Sequence, residues 1–381
     1  MKKWSLWLLF ISGLLALLIH FSEERAQRKF SSSAPIRLLM NQKVSSYVVP
    51  GRLTGKTLSR EVGEVFQITS KEGELKITRR ADHFLVGAMI IQQDRVLLMW
   101  DHEDDNAGPK GLLEFIAGKE NDFDVVLHQE LEPYVAGVVM AEMKPHWPME
   151  ALKAQAICAR SYAKFHINRH QRRHYDLWGN SRSQAYSQKP PSEKVMLAVE
   201  ATEGKVLSYD GTVVMAYYMS TCGGETRKHS LEGVPYASVS CGYCQASPHF
   251  EWEVTLTLGD MKRLVSKGVD SEASIVAVEV IAEDSGHARK LHMIPDLGPP
   301  VAVEALAFRR HLNRAFGKEV VKSLVFSVEK RDRDWRIRGK GWGYHGRGLC
   351  QYGAKGMALS GVEYLMILKH YYPNFSPVTL H

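Results

Sequence analysis

The chain has 381 residues, 45% of them hydrophobic and 24% charged, which excludes a disordered polymer and leaves room for two or three domains with a sizeable core. Its formal net charge is +7 with histidines neutral, which suits an acidic partner such as nucleic acid, anionic lipid or bacterial cell-wall polymer. The basic residues are spread along the chain, with short clusters at Arg79–Arg80, Arg172–Arg173 and Lys330–Arg338, and no nucleic-acid motif sits among them, so nucleic acid is not an expected partner.

Lys2-Lys3 precede an apolar run from Trp4 to Ile19, the pattern of a signal peptide or a short membrane anchor over residues 1–22. His20-Phe21-Ser22-Glu23-Glu24 is a poor cleavage site, which favours an uncleaved anchor in the cytoplasmic membrane with the remainder extracytoplasmic. Residues 23–35 are polar and basic and read as a linker.

From residue 36 to residue 123 the pattern is of short strands: Tyr47–Val49, Glu64–Ile68, Leu75–Thr78, Phe84–Val86 and Arg95–Met99, separated by glycines and charged turns. This β-rich accessory region carries no evident catalytic pattern. A second region, residues 124–381, opens on the strand Val125-Val126-Leu127 and a helix through Tyr134–Met143. Val135, Val138 and Val139 recur at helical spacing, and Pro145 and Pro148 forbid continuation, so Glu142 falls at a helix C-terminus. The negative end of the helix dipole and apolar neighbours both favour a protonated carboxyl there, as a proton donor to a leaving group requires. The plain alternative is a solvated terminal glutamate.

A helix over Met149–Arg169 follows, with Leu152, Ala156, Ala159 and Ala163 on one face, a pattern for close helix packing. Next come a helix within Pro191–Glu203 and a hairpin over Lys205–Val214 turning at Asp210-Gly211. Leu258–Lys267 and Val303–Phe316 read as helical, Ile275–Ala282 and Leu324–Glu329 as extended, and Glu363–His370 as a last helix. The Gly-rich stretch Gly341–Ala354 is neither a P-loop nor a dinucleotide fingerprint; its glycines let backbone approach a ligand or a neighbouring strand. The whole is an α+β protein.

Five segments together resemble a known family. They are Tyr134–Met143 with Glu142; Pro148–Ala163; Ser183-Gln184-Ala185-Tyr186; Ser220-Thr221-Cys222-Gly223-Gly224 with Pro235-Tyr236; and His345–Ala354. In order and spacing this set is similar to the SpoIID-type lytic transglycosylases and the related amidase-enhancer proteins, over about Leu131 to Tyr372. The resemblance implies a SpoIID-like domain that cleaves peptidoglycan glycan strands between N-acetylmuramic acid and N-acetylglucosamine, with 1,6-anhydromuramic acid products. It implies Glu142 as the single catalytic acid, and an envelope protein serving sporulation, division or wall turnover. A glycoside hydrolase ordinarily needs two carboxylates. Glu132 and Glu150 read as solvated helix residues, and Asp176 is the weakest exclusion as a second one. An intramolecular attack by the muramic 6-hydroxyl needs only one.

Arg160, Tyr162, Gln184, Tyr186, Ser220, Thr221, His345 and Gln351 fall in the family-like segments and are expected to line a glycan groove, the alternative for each being a satisfied structural residue. Arg160 is the first of them expected to be structural. His345 is also a candidate for assisting proton transfer. The runner-up function, from a different class, is a non-catalytic glycan-binding enhancer of a cell-wall amidase.

Five cysteines remain. Cys158 lies in the alanine-rich helix and reads as core, and Cys350 as packing or site lining. Cys241-Gly242-Tyr243-Cys244 is a metal-knuckle spacing; with Cys222, and with His249 or His229 as fourth ligand, it is expected to hold a structural zinc. A disulfide is the rival outside the cytoplasm. A third reading makes this cluster a catalytic zinc site of a protease or amidase, and would need an open metal position and an acidic partner.

Overall fold

A computed structural model describes residues 35–380 apart from 45, 50–64, 72–73, 82–83, 92–94, 101–110, 118–121, 168, 170–172, 265–272, 284, 318 and 333. Among the described residues the fold is mixed α and β, with 22 strands and seven helices. The apolar run Trp4–Ile19 lies outside them, and no helix within them is long and apolar enough to cross a membrane. The chain forms two compact units, residues 1–145 with 163–200 and residues 146–162 with 201–381.

The first unit holds β1 (Ile36–Val44), β2 (Ser46–Val49), β3 (Val65–Lys71), β4 (Glu74–Ala81), β5 (Phe84–Ile91), β6 (Arg95–Trp100), β7 (Gly111–Ala117) and β8 (Phe123–Gln129). The strands expected between residues 47 and 99 all form. β2 to β5 make an antiparallel meander, while β6-β7-β8-β1 make a second sheet. β8 pairs with both β1 and β7, so residues on either side of the boundary expected at 123/124 share one sheet. Phe123, Val125, Val126 and Leu127 of β8 are fully buried, as an interior strand requires.

α1 (Leu131–Glu142) follows β8 after one residue. Tyr134 to Val139 are all buried, so this helix is surrounded rather than half-exposed. It stops where expected: Met143 is extended, its N–H still reaches the Val139 carbonyl at 3.0 Å, and Pro145 follows. α2 (Met149–His166) starts in the second unit and passes into the first at residue 163. The expected alanine face is fully buried. β9 (Leu177–Trp178) adds to β1 in parallel, and α3 (Glu193–Glu200) packs on α1.

The second unit continues with β10 (Lys205–Tyr209), β11 (Thr212–Val213), β12 (Tyr218–Met219), β13 (His229–Leu231), β14 (Val234–Tyr236), β15 (Glu251–Thr257), α4 (Leu258–Leu264), β16 (Ile275–Ala282), β17 (Ala288–Pro295), β18 (Val301–Glu304), α5 (Ala305–Phe316), β19 (Val325–Lys330), β20 (Asp334–Lys340), β21 (Leu349–Cys350), α6 (Gln351–Leu359), α7 (Tyr364–Tyr371) and β22 (Ser376–Thr379). The β10–β11 hairpin turns at Asp210 and Gly211, both at positive φ (47° and 76°), the demand that Asp-Gly meets. The sheets β15-β20-β19 and β16-β17-β18 pack with α5 around Trp252, Leu291, Phe308, Trp335 and Ile337. α5 supplies Ala305, Phe308 and Leu312, a spacing of three and four that keeps them on one face.

Two expectations change. Val303 and Glu304 belong to β18, so the helix expected from Val303 starts at Ala305. The end of the Gly-rich stretch, residues 351–354, opens a helix that runs to Leu359; Gly353 and Gly356 had masked its apolar face of Ala354 and Met357.

Candidate functional site

In the first unit the candidate acid is built by α1 and the segment that crosses it. Glu142, the last residue of α1, is half-buried, and its Oε1 accepts a hydrogen bond from the Ala185 N–H at 2.8 Å. Ala185 is held there from both sides. Gln184 donates from Nε2 to the Tyr134 hydroxyl at 2.9 Å, and the Tyr186 hydroxyl donates to Gln129 Oε1 at 2.6 Å. The Tyr134 and Tyr186 rings stack with centroids 5.4 Å apart, and Ser187 N–H donates to the Gly137 carbonyl at 3.1 Å. Burial pushes the Tyr186 phenol up, so it remains a donor.

Gly137 makes this crossing fit. A Cβ there would lie 2.6 Å from a Tyr186 ring carbon and 2.8 Å from the Ser187 carbonyl oxygen. Three of the expected site residues, Glu142, Gln184 and Tyr186, thus meet in one hydrogen-bonded unit. Gln184 is 2% exposed and bonded inward, so it positions the segment rather than facing a ligand.

Two of the carboxylates weighed as a second catalytic group, Asp176 and Glu150, are engaged elsewhere. Asp176 is 4% exposed and takes Arg37 Nη2 at 2.8 Å, Arg37 Nε at 3.1 Å and the Arg37 N–H at 2.9 Å. Glu150 accepts from Lys153 Nζ at 2.7 Å and from the Tyr364 N–H at 2.9 Å. Burial works to raise the Glu150 pKa, but these two donors outweigh it and lower it. Asp176 ties β1 to the start of β9, and Glu150 ties α2 to α7.

The remaining expected groove residues lie in the second unit. Arg160 is fully buried and donates from Nη1 to the Lys205 carbonyl at 2.9 Å, a structural tie of α2 to β10 rather than a groove contact. Tyr162 is half-buried. Ser220 and Thr221 follow β12; Thr221 is 1% exposed, and its hydroxyl shares a hydrogen bond with that of Ser247 at 2.7 Å. The Gly-rich stretch lies on this strand: Thr221 and Trp342 exchange backbone hydrogen bonds, β21 pairs in parallel with β12, and Tyr352 N–H reaches the Ser220 carbonyl. A Cβ on Gly348, at φ 71°, would overlap the Tyr217 carbonyl, so here glycine admits a neighbouring strand. Gln351 is 4% exposed, with Nε2 3.5 Å from Gln155 Oε1. His345 sits by Tyr217, its pKa lowered to about 4 by burial and by the Arg347 charge.

The cysteine cluster differs from expectation in one member. The Sγ atoms of Cys222, Cys241, Cys244 and Cys350 all lie within 4.8 Å of one another, and all four residues are buried. The fourth group is therefore the Cys350 thiol and not an imidazole. The His249 ring packs on Trp342, centroids 4.0 Å apart, with Nδ1 3.5 Å from Lys322 Nζ. His229 stacks on Tyr236 at 4.1 Å, its pKa lowered to about 4 by burial and by Arg347. Hydrogen bonds from Cys222 and Cys244 hold the Cys241 thiol well below its ordinary range, while burial pushes Cys350 up. All five cysteines are unbridged, and Cys158 is core, as expected. No carboxylate joins the cluster, which leaves the catalytic-zinc reading without its acidic partner among the described residues.

Sequence reasoning missed two groups. The Ala185 N–H carries no side-chain signal. Cys350 had one, a further thiol beside three clustered cysteines, but its Gly-rich setting pointed to packing or site lining and His249 or His229 was expected in its place. The unit also carries an open groove of about 790 Å³ along β15, β19 and β20, and none of the expected site residues lines it.

The sequence pattern of the SpoIID family, described as Stage II sporulation protein, matches residues 119–209, which contain α1, Glu142 and the Ser183–Tyr186 segment. The chain is 35% identical over 261 residues to an uncharacterised protein of Brachyspira hyodysenteriae, covering 66% of this chain and 68% of that one. It is 28% identical over 294 residues to the amidase enhancer of Bacillus subtilis, of which it spans 39%. It is 26% identical over 269 residues to Stage II sporulation protein D of Bacillus amyloliquefaciens, covering 64% and 72% of the two chains. The chain belongs to the SpoIID family.

Proposed function

We propose that this protein is a lytic transglycosylase of the bacterial cell envelope, cutting peptidoglycan glycan strands between N-acetylmuramic acid and N-acetylglucosamine. The observation that carries the reading is the Glu142 carboxylate held by the Ala185 N–H, while Asp176, the other carboxylate weighed for catalysis, is buried and committed to Arg37. One carboxylate suffices when the nucleophile comes from the substrate. Glu142 protonates the glycosidic oxygen as the bond to the anomeric carbon breaks. The carboxylate then accepts the proton of the muramic 6-hydroxyl as that oxygen closes the 1,6-anhydro ring. Holding the hydroxyl against the anomeric carbon makes the attack intramolecular, a proximity effect that replaces an activated water. The catalysis requires no cofactor. Of the residues expected to contact glycan, Tyr162, Tyr186, Ser220 and His345 are half-buried rather than enclosed.

Lys2-Lys3 with the Trp4–Ile19 run supports attachment to the cytoplasmic membrane with the rest of the chain outside. A second reading rests on the Bacillus subtilis relative named an amidase enhancer: a glycan-binding module that stimulates a cell-wall amidase without cutting strands itself. Digestion of purified peptidoglycan by the protein, with mass analysis of the fragments, separates the two. Fragments ending in 1,6-anhydromuramic acid are expected; reducing ends would make it a hydrolase, and intact strands would leave the enhancer.

A further inference from the structure

The four thiols of the second unit converge from three places in the chain. Cys222 follows β12, Cys241 and Cys244 lie on the loop after β14, and Cys350 ends β21 and caps α6. Their separations have the dimensions of a metal site. Cys222 Sγ and Cys244 Sγ are 3.7 Å apart. Thiolates bound at about 2.3 Å to a tetrahedral zinc lie roughly 3.8 Å from one another. A disulfide would need about 2.05 Å.

The surroundings fit thiolates as well. Cys222 N–H and Gly353 N–H point at Cys350 Sγ at 3.2 and 3.3 Å, and the Tyr371 hydroxyl lies 3.0 Å from Cys241 Sγ. Such donors, with the positive end of α6 at Cys350, offset the excess negative charge of four sulfurs around a divalent ion. Residue 353 has room for no side chain: a Cβ there would overlap the Tyr371 hydroxyl and come within 2.8 Å of Cys241 Sγ.

We propose that Cys222, Cys241, Cys244 and Cys350 bind one zinc ion in a closed tetrathiolate site. All four ligands are buried, so no coordination position remains for water or substrate and the site is structural. Soft sulfur donors select zinc over magnesium or calcium. The ion cross-links the 222–247 loop to β12 and to the start of α6, and thereby fixes Ser220, Thr221 and the Gly-rich stretch. Each thiol that binds gives up its proton, so metal binding and folding of this loop are coupled. The site stands independently of the transglycosylase reading.

Metal analysis of the full chain purified without added metal should find one zinc per chain. The Cys350→Ser variant should lose most of it and His249→Ala should retain it. Because a cysteine variant can fail to fold, the wild-type protein is also reloaded with cobalt(II): strong sulfur-to-cobalt charge transfer and intense visible d–d bands report a tetrahedral four-thiolate site. Weak cobalt bands of a six-coordinate site, zinc retained in Cys350→Ser but lost in His249→Ala, or a metal-free protein lighter by two or four hydrogens would each overturn the proposal.

Discussion

The Ala185 N–H and the Glu142 carboxylate, 43 positions apart in sequence, are joined by a hydrogen bond of 2.8 Å. Glu142→Gln keeps an acceptor oxygen for that bond and removes only the exchangeable proton. The variant should fold normally, with unfolding free energy within about 1 kcal/mol of wild type, because the carboxamide oxygen accepts the same backbone hydrogen bond. Release of anhydromuramic fragments should fall by about 100-fold to 10,000-fold, the span of general acid–base catalysis. Undiminished cleavage would remove Glu142 as the acid.

Gly137 decides whether the 183–187 segment can cross α1. Gly137→Ala places a methyl group against Tyr186 and the Ser187 carbonyl. Helix propensity alone favours alanine by about 1 kcal/mol. The clash should win, with a net loss of roughly 1–3 kcal/mol as for other overpacked sites. Chemical denaturation measures it. Activity should fall too, although the substitution leaves Glu142 in place; a more stable, fully active variant would show that the segment is held by other contacts.

What could be read from the sequence and what could not follow from the same physics. α1 was legible because valines at helical spacing run into Pro145 and Pro148, and both signals are local. The hairpin at Asp210-Gly211 was legible because a turn needing positive φ selects those residues. α6 was hidden by glycines that serve packing on Tyr371 and Tyr243, a tertiary demand overriding propensity. The site was half legible. Side chains such as Glu142 and Cys241 announce chemistry, but the group that orients Glu142 is a backbone amide. The partner that engages Asp176 is Arg37, 139 residues away.

Asp176 offers a sharper test of the single-carboxylate mechanism. Asp176→Asn keeps the size of the side chain and weakens three hydrogen bonds from Arg37. The Arg37 side chain remains 28% exposed, so water takes up part of the loss, and a destabilisation of roughly 1–3 kcal/mol is expected. Cleavage per folded molecule should be nearly unchanged below the melting transition. Abolished cleavage with an unaltered melting temperature would make Asp176 a second catalytic carboxylate.

The N-terminal run makes a prediction about fractionation. The full-length protein should sediment with membranes, and deletion of residues 1–30 should release it, since the apolar run Trp4–Ile19 after Lys2-Lys3 is the expected point of attachment. A mature N-terminus mapped between about residues 25 and 34 would identify a cleaved signal instead.

Acid should weaken the second unit before its carboxylates titrate. His345 and His229 have folded-state pKa values lowered to about 4, in both cases first by burial and then by the Arg347 charge. The charges facing His345 reinforce the direction, with Arg347 and His287 both opposing a second positive charge. An unfolded histidine titrates near 6.5. Between those values the unfolded chain binds protons that the folded chain refuses, so stability rises with pH across roughly pH 4 to 6.5 and is lost as pH falls through that window. The acidic groups act lower. Glu283 beside Arg227 and Glu150 beside Lys153 have lowered pKa values, so their contribution is present above about 4.5 and disappears below it. Melting temperatures between pH 5 and pH 7 therefore leave the carboxylates out, and the difference between wild type and His345→Gln separates the imidazole share from the proton release that accompanies metal binding. They should drop steadily toward pH 5 at saturating zinc, and His345→Gln should flatten the slope. A melting temperature independent of pH over that range would mean that both rings accept protons in the folded state.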